Sequence, residues 1–204
     1  MAEPIRVLHV DDEPQVLDLT ATFLEREDER IEVSTAADAD EGLAILADRA
    51  IDCVVSDYEM PGRNGIDFLE AVRERYPNLP FILFTGKGSE EVASEAISAG
   101  VTDYLEKQGD LSQYAVLANR IANAVDQYRS KRALEASQRR LSLFFEQSPL
   151  GVIEWNEDCE VVRLNDAAED ILGYAEADLR GASWERIVPE SEATAVGGVV
   201  DALL

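Results

Sequence analysis

The chain has 204 residues, enough for one or two domains with a proper buried core. Hydrophobic residues make up 46% and charged residues 29%, so the composition calls for neither disorder nor a fibrous repeat. Against 18 Lys plus Arg stand 42 Asp plus Glu, a net charge of −24 that opposes binding to nucleic acid and to anionic membranes.

The acidity is diffuse, −17 over residues 1–127 and −7 over 128–204, and Lys87, Lys107 and Lys131 are the only lysines. Such a surface points to a protein working in very high salt, where screening removes the self-repulsion; an ordinary acidic protein is the other reading. Cys53 and Cys159 lie far apart, one of them in an apolar run, which argues against a disulfide framework and for a reducing compartment. No apolar stretch reaches the roughly 18 residues of a membrane span, and the N-terminus has no signal-peptide pattern. A cytoplasmic protein is expected.

In chain order, apolar runs of strand length at Ile5–Val10, Ile31–Thr35, Ile51–Ser56, Phe81–Phe84 and Thr102–Glu106 alternate with helical patterns. The first, third and fourth runs are nearly continuous, as in strands buried on both faces of a parallel sheet. Between them Val16, Leu19 and Phe23, then Ala39, Leu43 and Leu46, then Ile66, Leu69 and Val72 recur at three-to-four spacing, the mark of amphipathic helices. Pro14 suits a first helical turn capped by Asp12 or Glu13, and Gly100 closes the fourth helix. Five βα units specify an α/β doubly wound domain. From Leu111 to Gln147 the pattern is helical, with Leu117, Ile121, Val125 and Tyr128 as a stripe and Leu134, Leu141 and Phe145 continuing an imperfect seven-residue repeat. Packing of that helix on its own domain and a dimer seam both fit. After Pro149 two short strands, Gly151–Trp155 and Glu160–Leu164, flank a turn at Asn156–Asp158 and open a second domain. About 60 residues remain for it, so a piece of a longer protein is expected.

Ligands of such a sheet bind beyond the carboxyl ends of its strands. Asp11 and Asp12 follow the first strand, Asp57 the third, Thr85 ends the fourth and Lys107 the fifth. Three carboxylates on one crevice call for a cation, and hard oxygen donors suit Mg²⁺, with the lysine and hydroxyl left for phosphoryl oxygens. An aspartate in such a site can be the phosphorylated nucleophile.

Residues 5–125 resemble the receiver domain of two-component response regulators. The resemblance is carried by Asp11-Asp12, by Val54 to Gly62 with Gly65 three residues on, by Phe84-Thr85-Gly86, and by Tyr104-Leu105-Glu106-Lys107. It implies a five-stranded parallel sheet of order 2-1-3-4-5, with Asp57 as phosphoacceptor. Asp11, Asp12, Asp57 and the backbone carbonyl of Glu59 would be ligands of Mg²⁺ or Mn²⁺, and Thr85 and Lys107 would be partners of the phosphoryl group. Tyr104 would turn inward as Thr85 moves, reshaping the face of helix 4, strand 5 and helix 5. Gln108 stands where the family usually has proline, so the fifth βα loop would lack the usual cis bond and hold Lys107 less rigidly.

Other features read as structural. His9 is expected to be a satisfied core imidazole and Cys53 a small core hydrophobe. The stretch Gly86-Lys87-Gly88-Ser89 lacks P-loop spacing and reads as a loop and cap before the fourth helix.

Residues 141–204 resemble the start of a PAS sensory domain, on Leu141 to Val152, the hairpin, and Leu164-Asn165 through Leu172-Gly173-Tyr174 to Gly181, with 126–140 as helical linker. Neither haem nor flavin is indicated. The whole implies phosphorelay signalling: a histidine kinase as phosphodonor, relay through the helix to the PAS region, and a homodimer through the linker helix or the helix 4, strand 5, helix 5 face. Direct nucleic-acid binding by this segment and membrane association are not expected. Two alternatives are a non-phosphorylated interaction scaffold and a Mg²⁺-dependent aspartyl-phosphate phosphatase. Glu59, where such a phosphatase has a second aspartate, argues against the latter.

Overall fold

The computed structural model describes residues 3–86, 90–188 and 191. The chain divides into two compact units, Met1–Arg132 and Ala133–Leu204.

In the first unit, β1 (Ile5–Val10), β2 (Ile31–Ala36), β3 (Cys53–Ser56), β4 (Phe81–Thr85) and β5 (Asp103–Glu106) form a sheet of order β2-β1-β3-β4-β5. All four pairings are parallel. The connecting helices are α1 (Pro14–Glu27), α2 (Ala39–Asp48), α3 (Gly65–Arg75) and α4 (Glu90–Ser98); the long α5 (Ser112–Glu146) follows β5. The expected fold class is therefore the observed one. Alternation along the strands sends side chains to two apolar layers. Leu8, Val10, Val54 and Leu83 meet α2, α3 and α4 through Leu46, Phe68 and Val92. Val7, Val55, Ile82 and Phe84 meet α1 and α5 through Leu24, Tyr114, Leu117 and Ile121.

Local differences from the expected elements have local causes. β3 starts at Cys53 rather than Ile51; there the Arg6 N–H donates to the Asp52 carboxylate and not to a backbone carbonyl of the run. The N-cap of α1 is Glu13, with no side-chain cap bond; the Glu13 N–H donates instead to Asp11 Oδ1 at 2.9 Å. His9 is buried, but neither ring nitrogen has a hydrogen-bond partner among the described residues, so it is not the satisfied imidazole expected. Burial pushes the imidazole down to about 4, which keeps it neutral. Lys87, Gly88 and Ser89 lie outside the described residues, and so does most of the chain beyond Val188.

The second unit contains the antiparallel hairpin of β6 (Ile153–Trp155) and β7 (Val161–Leu164), then α6 (Asp166–Leu172) and α7 (Glu176–Leu179). Its small core is Val161, Leu164, Ala168 and Leu179. Asn165 is fully buried and organises the unit. Its Oδ1 accepts from the N–H groups of Val152 and Ala168, and its Nδ2 donates to the carbonyls of Phe145, Ser148 and Leu150. One amide side chain thus holds the C-terminal end of α5, the entry to β6 and the start of α6. Among the described residues, no helix is long and apolar enough to cross a membrane.

Candidate functional site

The carboxyl ends of β1, β3 and β5 bring Asp11, Asp57 and Lys107 together. Each follows its strand by one residue, so parallel pairing with β1 and β3 adjacent sets the two aspartates side by side. Lys107 reaches across from β5, its Nζ 2.7 Å from Asp11 Oδ2 and 2.8 Å from Asp57 Oδ1. Both carboxylates are buried, Asp11 to 1% exposure and Asp57 to 6%. Two anions sharing one cation leave a buried negative excess. Burial raises the Asp57 carboxyl above its ordinary range and the Asp11 charge adds to this, against the hydrogen bond from Lys107. Burial opposes the charge on Lys107, but its hydrogen bonds to the two aspartates outweigh this and hold its pKa above the ordinary value.

The remaining oxygens of the pair are held by the backbone: Asp57 Oδ2 accepts from the Glu59 N–H at 2.8 Å, and Asp11 Oδ1 from the Glu13 N–H. Gly65 underlies the same loop. Its N–H donates to the Tyr58 carbonyl, and a Cβ there would stand 2.2 Å from the Asp57 carbonyl oxygen. The capping box of Asn64 and Asp67 starts α3 at that point.

Asp12 is not part of this trio. It is exposed, and it lines a neighbouring shallow hollow with Glu59 and Asn64. Among the described residues, no three His, Cys, Asp or Glu side chains already stand together as a metal site. The donor chemistry nonetheless fits a hard divalent cation, because the excess charge is anionic and every candidate donor is oxygen.

Thr85 ends β4 almost fully buried, and its carbonyl accepts from the Lys107 N–H at 2.8 Å. Tyr104 packs against the α2–α4 layer, and its hydroxyl is buried without a partner among the described residues. Burial raises that phenol. Gln108 uses an N–H that proline would lack, donating to Gln113 Oε1 at 2.8 Å and tying the loop after Lys107 to the first turns of α5.

At the opposite end of β3, sequence reasoning overlooked a second charged cluster. Asp52 accepts from the backbone and side chain of Arg6, and Arg129 of α5 lies 3.1 Å from Asp52 Oδ2 while donating to the Pro4 carbonyl at 2.6 Å. An aspartate inside the apolar run Ile51–Ser56 was the available signal.

The family model for the response regulator receiver domain matches residues 7–118, and a PAS fold model matches 145–203. The nitrogen assimilation regulatory protein NtrX of Azorhizobium caulinodans is 32% identical over 63% of this chain and 28% of its own length. The sensor histidine kinase TmoS of Ectopseudomonas mendocina is 25% identical over 93% of this chain and 22% of its own. The chain thus spans about a quarter of the length of these curated relatives. Among solved structures, a receiver domain protein from Clostridium thermocellum superposes with TM-score 0.55 at 31% identity, covering 61% of this chain and 97% of that one. NtrX from Brucella abortus gives 0.57 at 34% identity, covering 65% and 29%.

Proposed function

The chain belongs to the response regulator receiver domain family, and on that footing we propose that it is a phosphorylation-controlled module whose acceptor is Asp57. The observation that carries this reading is the buried trio of Asp11, Asp57 and Lys107, which leaves a carboxylate nucleophile beside a fixed cation. The phosphodonor is a phosphohistidine of a histidine kinase. With the donor ring protonated on its other nitrogen, its P–N bond breaks as a P–O bond forms to an Asp57 oxygen, and neutral imidazole leaves.

Lys107 is already on Asp57 and would pair with the incoming phosphoryl oxygens. Thr85, at the end of the adjacent strand, would supply a hydroxyl to the same oxygens. Tyr104 has a buried hydroxyl with no hydrogen-bond partner among the described residues, which supports a ring that changes position when Thr85 does. Mg²⁺ or Mn²⁺ would be held by Asp11, Asp57, Asp12 and the Glu59 carbonyl, and would neutralise charge on the phosphoryl oxygens. The response would pass from the receiver, residues 1–125, through the linker at 126–140 to the PAS region at 141–204, which has no indicated haem or flavin. A homodimer, through the extension of α5 or through the face of α4, β5 and α5, belongs to this reading. So do a cytoplasmic location, a high-salt environment and the absence of direct DNA binding.

The test is intact mass after incubation with acetyl phosphate and Mg²⁺, in low and in molar salt. One added phosphoryl group, labile to hydroxylamine and missing in Asp57→Asn, is expected. No gain in the folded wild-type chain in either salt would replace this reading with the scaffold.

A further inference from the structure

We propose that Gln113 is a positioning residue for Lys107: its side-chain carbonyl holds the backbone that carries the lysine and so sets how fast the site takes up a phosphoryl group. The inference rests on the phosphoacceptor reading of the preceding section and adds to it a residue that does not touch the reacting atoms.

The side chain of Lys107 is fixed before reaction by carboxylates that the reaction changes. Its Nζ lies 2.7 Å from Asp11 Oδ2, 2.8 Å from Asp57 Oδ1 and 5.7 Å from the centre of the Phe84 ring. When an Asp57 oxygen bonds to phosphorus, the negative charge moves out to the phosphoryl oxygens. The ammonium must follow it on a flexible four-carbon stem, so the backbone of Lys107 is the fixed point of that movement. A displacement of about 1 Å in a group that stabilises transferring charge can cost on the order of a hundredfold in rate.

That fixed point is held by the sheet on one side only. The pairing of β4 with β5 ends at Thr85 and Glu106, and the Lys107 N–H then donates to the Thr85 carbonyl at 2.8 Å. Beyond it, residues 108–111 are exposed, and Gly109, at φ +75°, has open space around it. The start of α5 is firm by contrast. Tyr114 is buried, stacked on Phe23 with ring centres 5.0 Å apart and edge-on to Phe84 at 6.4 Å, while Asp110 Oδ1 accepts from the Ser112 N–H. Gln113, next to Tyr114, returns this rigidity to the loop: its Oε1 accepts from the Gln108 N–H at 2.8 Å, one residue past Lys107. The bond exists because residue 108 keeps the N–H that a proline lacks. Lys107 is thus held from both sides, by Thr85 before it and by Gln113 after it.

The experiment uses the full chain and two readouts. In the first, uptake from acetyl phosphate is expected to slow by at least about fivefold in Gln113→Leu, the worth of one hydrogen bond, with helicity retained. The Mg²⁺ concentration for half-maximal uptake should not rise, since the aspartates are untouched, whereas a general loosening of the domain would raise it. Gln113→Glu keeps an accepting oxygen and is expected to restore uptake. In a Gln108→Pro chain the bond has no donor, so adding Gln113→Leu should change nothing further. The second readout needs no phosphodonor. With only three lysines in the chain, ¹⁵N-lysine labelling identifies the Lys107 ammonium signal as the one missing from Lys107→Ala. Its exchange with water is expected to be at least about threefold faster in Gln113→Leu and to return to the wild-type rate in Gln113→Glu. Wild-type uptake and exchange in Gln113→Leu, a Gln113→Glu chain as impaired as Gln113→Leu, or a full further loss in the Gln108→Pro chain would each overturn the positioning role. A wild type that takes up no phosphoryl group while its ammonium signal still responds to Gln113→Leu supports the positioning role and removes only the phosphoacceptor reading.

Discussion

The Cα of Gly65 lies so close under the main chain of Asp57 that a methyl group there would stand 2.2 Å from the Asp57 carbonyl oxygen and 2.8 Å from Leu83. A backbone oxygen cannot swing aside as a side chain can. Gly65→Ala should therefore cost about 1–3 kcal/mol in chemical denaturation. It should also slow phosphoryl uptake by displacing the loop that carries Asp57 and Glu59. Gly86→Ala, which meets nothing within 4 Å, is the control expected to leave stability nearly unchanged.

Asp57→Asn should be more thermostable than the wild type at neutral pH, although it cannot be phosphorylated. Burial holds the folded-state carboxyl above its unfolded value, so its ionised form costs stability once the pH exceeds the unfolded value, and that cost is relieved as pH falls through both values. The difference in melting temperature, a few degrees at pH 7, should shrink as the pH is lowered towards 4.

Lys107→Ala leaves two buried carboxylates facing one another without their shared cation. A loss of roughly 3 kcal/mol at pH 7 is expected, and a smaller one at pH 5, because acid favours the neutral form of the Asp57 carboxyl, whose pKa burial raises. Metal binding should persist, so millimolar Mg²⁺ should raise the melting temperature of this variant more than that of the wild type. Thermal melts with and without Mg²⁺ at both pH values check this. In Asp12→Ala the stabilisation by Mg²⁺ should fall, and an unchanged response would remove Asp12 from the ligand set.

Arg129→Ala should loosen α5 near the end of the first unit without touching phosphoryl uptake. Its guanidinium contacts Asp52 and the Pro4 carbonyl, and its loss should cost about 1–2 kcal/mol. Hydrogen exchange should rise around residues 125–132. Burial works against the Asp52 charge, yet its hydrogen bonds from Arg6 and the nearby Arg129 charge win and lower its pKa. The stability it contributes is thus present above its unfolded value, near 4, and is lost as the pH falls through the folded value. Acid denaturation of Arg129→Ala should accordingly set in at higher pH than that of the wild type.

Much of the first unit is written in local pattern. Continuous apolar runs such as Cys53–Ser56 need two covered faces, helical stripes such as Ile66, Leu69 and Val72 supply them, and the alternation of the two selects a parallel sheet. The residues just past the strand ends were legible for the same reason, since that is where a parallel sheet presents its open edge. Asn165 was visible as part of a motif; that it bonds to five backbone groups was not, because those partners belong to three different segments.

What the sequence by itself determined is the set of elements and the residues at their ends, because periodicity and strand polarity are properties of short stretches. Tertiary structure alone decided which of those residues meet. Lys107 and Asp11 are 96 positions apart and touch because strand order closes that gap, while Asp12, one residue from Asp11, points away to solvent. His9 ended buried without a hydrogen-bond partner among the described residues, and Arg129 found Asp52 because α5 crosses the far end of β3. Such pairings depend on distances through space that no short stretch of chain encodes.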